Sequence, residues 1–361
     1  MNTITTVSRQ WASRPDDERF CSLNDLLAHY ATQRRQSREV TVQTRQLEVR
    51  PAGDMISDIE VYGPNGHGYE PTHWGFGQLA TLAGAPAGYL RTLPAPIAAD
   101  AINYGLRFRP QRDDVGVLLT RNGSNLLRAI TGPTYGRVWN EEIARTLVHR
   151  FGDGVTGDWR VPGEFGQLVT VTKENTTIYG SDRDLFVFLA DEDHRIEVPN
   201  RRNGQPGTMA RGFYVWNSDV GARTLGIAAF LFDYVCCNRI IWGVEDFHQV
   251  TIRHTATAPD RWLDEVQPVI EAYAHGATRP ILDRIAAAQA RKVDDLQDFL
   301  AKRFTAKFAA QAMAAHKAEE GRPAESLWDA VTAVTAVARS YQHQDSRVAI
   351  ERQAGDLLKA A

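Results

Sequence analysis

The side chains best able to do chemistry fall in a few short runs. Asn217, Ser218 and Asp219 end an apolar stretch and His254 lies downstream, so residue type alone allows a serine nucleophile with a histidine base and a carboxylate. No G-x-S-x-G elbow surrounds Ser218. Small polar residues in succession commonly satisfy backbone groups in turns, and a turn is the role expected here. Cys236 and Cys237, with His254, offer metal ligands. Neighbours on a strand point to opposite faces, and zinc-binding cysteines favour a gap of about two to four residues. The two thiols are therefore expected in the core. Asp191, Glu192, Asp193 and His194 form a carboxylate–imidazole set, expected as an exposed loop between strands. No Walker-type glycine loop occurs, and no G-x-G-x-x-G opens a helix after a strand. Those gaps argue against nucleotide-driven motors and dinucleotide enzymes.

A broader pattern is arginine interleaved with aromatic residues. Arg34, Arg35, Arg38 and Arg45 cluster early, and Arg107, Arg109, Arg112, Arg121 and Arg128 surround an Asn122-Gly123 turn. Arg195, Arg201, Arg202 and Arg211 flank the segment 198–212, and Tyr104, Phe108, Tyr135, Phe213, Tyr214 and Trp216 lie among these groups. Phosphates need cations and unstacked bases need ring faces, so the combination suits single-stranded nucleic acid. The net charge of -3, from 41 basic and 44 acidic residues, is no general polyanion-binding signature. An interface must come from local clustering. The candidate contact set is Arg38, Arg45, Arg109, Arg112, Arg121, Arg128, Arg201, Arg202, Arg211, Tyr214 and Trp216.

The elements that would position these residues are readable in outline. The 361 residues are 43% hydrophobic and 24% charged, enough for a large buried core. No apolar run reaches the roughly 18 residues of a membrane span, and the N-terminus lacks the apolar region of a signal peptide. An odd count of three cysteines, two of them adjacent, fits a reducing cytoplasm. Ser22 and Thr72 are predicted to cap helices, as is Asn140 before EEIARTLVHRF. SREVTVQTRQLEVRP reads as one strand and MISDIEVYG as the next; short helices follow through residue 108. DDVGVLLT and NLLRAITG flank Asn122-Gly123, the favoured type I′ hairpin pair. Residues 157–255 are strand-rich, with 198–212 as a flexible loop. From 258 onward the pattern is helical. One long helix is predicted over 279–320, with Pro280 in its first turn and Gly321 at its end.

One segment is similar to a known family. YVWNSDVGARTLGIAAFLFDYVCCNRIIWGVEDFHQVTIRHT resembles the signature of the phage/plasmid-like protein family, also called the domain of unknown function 932 family. The matching residues are Asn217, Ser218, Asp219 and Gly221, then Cys237-Asn238, then Arg253-His254-Thr255, with Val220 as an inserted departure. SLWDAVTAVTAVARSY resembles the family's Leu-Trp…Ala-Val-Thr helix, and Tyr135-Gly136-Arg137 its tyrosine-bearing turn. The resemblance covers the chain from about residue 40 to its end. It implies a mobile-element protein among functions for incoming single-stranded DNA, and it transfers no catalytic residue. The order of elements is also similar to that of ring-forming single-strand annealing recombinases of the Rad-fifty-two type, which is analogy at fold level.

The expectation is thus an α+β protein, with an antiparallel-sheet-rich core and a helical C-terminal region. The divisions expected are 1–37, 38–256 and 257–361. The expected role is cytoplasmic, non-enzymatic single-stranded nucleic-acid binding or annealing by a homo-oligomer, without cofactor, resident metal or membrane. Two alternatives stand beside it. One is a metal-dependent nucleic-acid-processing enzyme using Asp191, Asp193, His194, Asp219 and His254; the other is an oligomeric assembly protein.

Overall fold

The computed structural model describes residues 14–121, 125–162, 170–234, 238–241, 249–274, 276–341 and 344–360. Arg19–Phe20 (β1) leads into helix Leu23–Gln36 (α1), followed by Ser37–Gln43 (β2), Glu48–Pro51 (β3), Ile59–Tyr62 (β4) and Gly68–Pro71 (β5). Helices His73–Leu82 (α2), Ala87–Leu90 (α3) and Ala95–Phe108 (α4) precede the hairpin Asp114–Arg121 (β6) and Asn125–Thr131 (β7), then helix Asn140–Phe151 (α5). Next come Trp159–Arg160 (β8), Ile178–Gly180 (β9), Leu185–Asp191 (β10), Ile196–Val198 (β11), Gly207–Asn217 (β12), Leu225–Asp233 (β13), Asn238–Ile240 (β14) and Gln249–Ile252 (β15). The remainder is helical. It comprises Ala258–Arg261 (α6), a π turn Trp262–Val266, Gln267–Ala274 (α7), Arg279–Ala290 (α8), Leu296–Ala301 (α9), Ala306–Glu320 (α10), Leu327–Arg339 (α11) and Gln344–Leu357 (α12).

The α+β class holds, and the strands form two sheets. The larger runs β1-β9-β10-β12-β13-β14, with β8 also on β10, β11 on β12 and β15 on β13, and every pairing is antiparallel. Its central strands are apolar on both faces. Val187, Phe213, Val215, Ile227 and Ala229 pack beneath α1, α5 and the 258–273 segment. The alternate residues Phe186, Phe188, Tyr214, Trp216 and Phe230 build an aromatic layer on the opposite face, with Val348 of α12 upon it. The alternation follows from the two-residue period of a strand. Gly226 lies opposite Trp216, where a Cβ would sit 2.1 Å from the indole; only glycine lets that ring lie across the neighbouring strand.

The smaller sheet runs β2-β6-β7-β5-β4-β3, with β5 and β7 parallel. The expected single strand over 38–50 is in fact divided. Thr44–Gln46 form a 3-10 turn, and β2 and β3 become the two edges of one sheet. Only residues 44–47 separate those edges in sequence, at most about 3.5 Å of reach per residue. The sheet therefore curls into an open barrel. α2 and α4 fill part of it, through Phe76, Leu79, Ile102 and Leu106.

The helical region shares a core with the large sheet instead of standing apart. Ile196, Val198, Met209, Leu231 and Ile240 belong to the same cluster as Trp328, Val331, Val334 and Leu358. α11 is buried on every side from Leu327 to Ala338, as a helix apolar all round should be. The helix predicted over 279–320 is three helices. Asp295 accepts from the Asp298 N–H at 2.8 Å and Thr305 from the Phe308 N–H at 3.1 Å, so each starts a new helix. Gly321 does end the last, at φ 69°. Ser22 and Thr72 cap as expected, whereas Trp139, not Asn140, precedes α5. No helix among the described residues is long and apolar enough to cross a membrane.

Candidate nucleic-acid interface

Of the segments singled out by the sequence motif, 217–221, 135–137 and 254–255 meet where the two sheets join, and Asn238 pairs with Asp233 at the other end of β13. Asn217 is the last residue of β12 and Ser218 and Asp219 follow it; all three are at most 2% exposed. Asn217 Nδ2 donates to the Val138 carbonyl (2.9 Å) and to Asn140 Oδ1 (2.8 Å), which removes Asn140 from capping. Ser218 Oγ donates to the Arg183 carbonyl (2.6 Å) and accepts from the Ala222 N–H (2.9 Å). Asp219 Oδ1 accepts from Arg128 Nη2 of β7 at 3.0 Å, and its carbonyl accepts from Arg137 Nη1. The Val220 carbonyl accepts from Trp74 Nε1 (3.0 Å) and Gln78 Nε2 (2.9 Å), both on α2. Gly221 turns the chain at φ 82°.

Tyr135 donates to the Ser218 carbonyl (3.1 Å) and stacks on His254 with ring centroids 4.9 Å apart. His254 Nδ1 lies 3.0 Å from the Gly136 carbonyl, and a Cβ on Gly136 would fall 1.8 Å from the Thr255 carbonyl oxygen. Asn217-Ser218-Asp219, Tyr135-Gly136-Arg137 and His254-Thr255 are thus one hub fastening the small sheet to the large one. The turn expected at 217–219 is present, and Ser218 is committed to a carbonyl rather than to an imidazole. Arg253 is exposed beside this hub. Cys236 and Cys237 lie outside the described residues; of Asn238 the backbone is in β14.

Burial and the Arg137 cation both depress the His254 pKa. The unfolded chain therefore takes up a proton that the folded one refuses as pH falls below about 6.5. The stability this neutral ring contributes is present above pH 6.5 and lost on acidification. Glu18, raised to about 7 mainly by burial, titrates in the opposite sense over the same window, so a variant comparison is needed. His254→Asn keeps an amide donor for Gly136 and cannot titrate. It is expected to lose less stability than wild type between pH 7 and 5 in urea unfolding, with a ceiling of about 1.4 kcal/mol per pH unit.

Asp191 and His194 pair at 3.0 Å and Arg211 reaches Asp191 at 3.5 Å, while Asp193 pairs with Arg160 at 3.0 Å. Asp191 and Glu192 are buried, so only Asp193 and His194 form the exposed part of the expected loop. Asp219 and His254 belong to the separate hub, and no group of three potential metal ligands comes together among the described residues.

The candidate contact set does not assemble on one surface as the sequence suggests. Arg128, Arg201 and Arg211 are at most 5% exposed. Arg201 pairs with Asp233 (2.6 Å) and Glu320 (2.5 Å), and Arg211 also donates to the Tyr273 carbonyl (3.4 Å). Tyr214 and Trp216 are 1% and 8% exposed in the aromatic layer, stacked 5.1 Å apart. A buried cation requires a partner, and these arginines have found theirs within the fold. The expected 198–212 loop is present only over 199–206, with a 3-10 turn at Arg202–Gly204; 207–212 are already strand. β11 and β12 form a hairpin, clamped where Gln289 Nε2 donates to the Pro199 carbonyl at 2.8 Å. Arg202 is exposed on that hairpin. Arg38 and Arg121 stand at one end of the small sheet's barrel, Arg112 near Gly132, and Arg45 and Arg109 beside α4.

What the fold does gather is an outward stripe on α4. Ala98, Ala99, Ile102 and Leu106 face inward. Ile97, Ala101, Tyr104 and Phe108, spaced 4, 3 and 4 apart along the helix, face outward, and the three large ones are 56%, 55% and 69% exposed. The Tyr104 and Phe108 rings lie 5.2 Å apart, with the Arg109 guanidinium 6.0 Å from the Tyr104 centroid. Arg107 is exposed on the same helix and Arg45 sits on the 3-10 turn packed against it. Asn103 holds the helix in place, since Oδ1 accepts from the Val49 N–H and Nδ2 donates to the Val49 carbonyl, both at 2.8 Å. Met55 and Tyr89 add further exposed apolar surface, at 68% and 62%. Projecting 95–108 on a helical wheel would have found this face from sequence. Comparison with protein-family models, with curated proteins and with solved structures finds no match to this chain.

Proposed function

We propose that the protein binds single-stranded nucleic acid without reading its sequence, through the outer face of α4. The observation that carries this reading is the pair of exposed rings, Tyr104 and Phe108, with the Arg109 guanidinium 6.0 Å from the Tyr104 centroid and two further exposed cations, Arg107 on the same helix and Arg45 on the 3-10 turn packed against it. Bases stack on any accessible ring face, and arginine meets the phosphates between them. The resemblance to the phage/plasmid-like family supports a setting among mobile-element functions for single-stranded DNA, and homo-oligomerisation is part of the same proposal.

The test is fluorescence anisotropy with labelled single-stranded and duplex oligonucleotides at two salt concentrations. Single strands are expected to bind better than duplex. With three phosphates neutralised, log affinity should fall with log salt at a slope of about -2. Tyr104→Ala with Phe108→Ala should weaken binding at least about tenfold, since stacking contributes roughly 1–3 kcal/mol per base.

A second reading has its own observation. Ile97 gives the stripe an aliphatic end, and Met55 and Tyr89 are further exposed large apolar side chains, which suits a protein contact. No oligonucleotide binding, together with a dimer in native mass spectrometry that Ile97→Glu dissociates, would replace the nucleic-acid reading by assembly.

A further inference from the structure

The small sheet also encloses a cavity of about 280 Å³ between β2, β6, β7 and the β4–β5 turn. Its walls are Val40, Val42, Leu47, Val117, Leu119 and Leu127. The register explains why they converge. Arg38 pairs with Leu119, Val40 with Val117 and Val42 with Val115, so alternate residues of both strands face the same side. The parity that turns Val40 and Val42 inward places Arg38 on that side of the strand, and the parity of Val117 and Leu119 does the same for Arg121. Both arginines line the cavity and are themselves exposed, which puts them at its mouth.

Tyr69 is 3% exposed and lines the cavity beside them. Its hydroxyl oxygen accepts from Arg121 Nη2 (3.0 Å) and from Asn65 Nδ2 (3.2 Å). With its lone pairs so used, the hydroxyl proton is left to donate. Among the described residues neither Arg38 nor Arg121 is ion-paired with a carboxylate. A deep apolar chamber thus ends in two cations and a hydroxyl donor. That is the complement of an anion on an apolar tail. Gln36, Thr41 and Asn65 also line the cavity, but the apolar residues outnumber them, so a nucleobase would lay most of its hydrogen-bonding edge against valine and leucine. The volume of about 280 Å³ falls just below the usual range of ligand cavities, about 300 to 1,000 Å³, and excludes a two-chain lipid.

We propose that this chamber binds a small amphiphilic monocarboxylate, an apolar body of octanoate's size whose head group is held by Arg38, Arg121 and Tyr69. The site is separate from the α4 face, so its test uses no nucleic acid. The full chain is titrated calorimetrically with octanoate, with octanol as the uncharged body, and with anionic phospholipid vesicles. Octanoate is expected to saturate at one equivalent, with octanol weaker by about tenfold or more. Arg38→Ala with Arg121→Ala should reduce octanoate to the octanol level and leave octanol unchanged. Val117→Trp should abolish both by filling the chamber. Should Val117→Trp disturb folding, as read by circular dichroism, Val40→Trp on the half-buried edge strand fills the same space. The proposal is overturned if octanoate shows no saturable binding. It is equally overturned if binding persists in a folded chamber-filled variant, or if vesicles bind and octanoate does not.

Discussion

Arg201→Leu is expected to destabilise the protein by about 3–5 kcal/mol, measured by urea unfolding at pH 7.5. Arg201 is fully buried, and so are both its partners, Asp233 on β13 and Glu320 at the end of α10. Leucine fills much of the volume but leaves two carboxylates without the cation that compensates them. The loss should therefore shrink at pH 5, because carboxylates stranded in an apolar interior take up protons more readily. Arg201→Leu combined with Asp233→Asn and Glu320→Gln removes all three charges and should recover most of the stability. A loss below about 1 kcal/mol in the single variant would show that the cluster is not compensated in the way the buried ion pairs indicate.

Asp219→Asn carries the second large effect, about 3 kcal/mol, and its signature is local. The substitution keeps the shape of the side chain and strands the Arg128 guanidinium, which is 3% exposed. Arg128 retains its weaker contacts to Ser37 Oγ (3.3 Å) and the Asp182 carbonyl (3.4 Å), and neither supplies the lost negative charge. Because the pair joins β7 of the small sheet to the end of β12, hydrogen exchange should quicken around Trp74, Gln78 and residues 217–222. The centre of the large sheet should stay protected. Uniform loss of protection throughout the chain would instead mean that the two sheets unfold as one unit and that the hub is not a distinct joint.

Local signals were legible and distant ones were not. Ser22 and Thr72 announce their helices because a cap needs only the following three residues. The β6 and β7 strands are readable because two apolar runs lie close together in sequence; the Asn122-Gly123 pair expected to turn between them lies outside the described residues. The break between β2 and β3 is hidden, because Thr44-Arg45-Gln46 contains neither glycine nor proline and the turn arises from closing the barrel. The breaks at Asp295 and Thr305 were available as caps, but the apolar stripe across them masks them. For the candidate site the difficulty is arginine itself. Arg201 and Arg109 look alike in sequence, yet one is buried against Glu320, 119 residues away, and the other stands in solvent. The fate of a cation depends on whether the fold delivers a carboxylate, and no short-range pattern carries that information. Tyr214 and Trp216 pose the same difficulty, since a ring in an aromatic layer and a ring on a helix surface share one letter code.

Asn103 has a consequence beyond fixing α4. β3 ends its sheet, and the outward N–H and C=O of Val49 would otherwise be a template for a strand from another molecule. The carboxamide imitates one residue of such a strand, donor and acceptor together, and occupies that template from within the same chain. At Val49 this edge is thereby denied to an incoming strand by a single side chain, and a leucine at position 103 would uncover it.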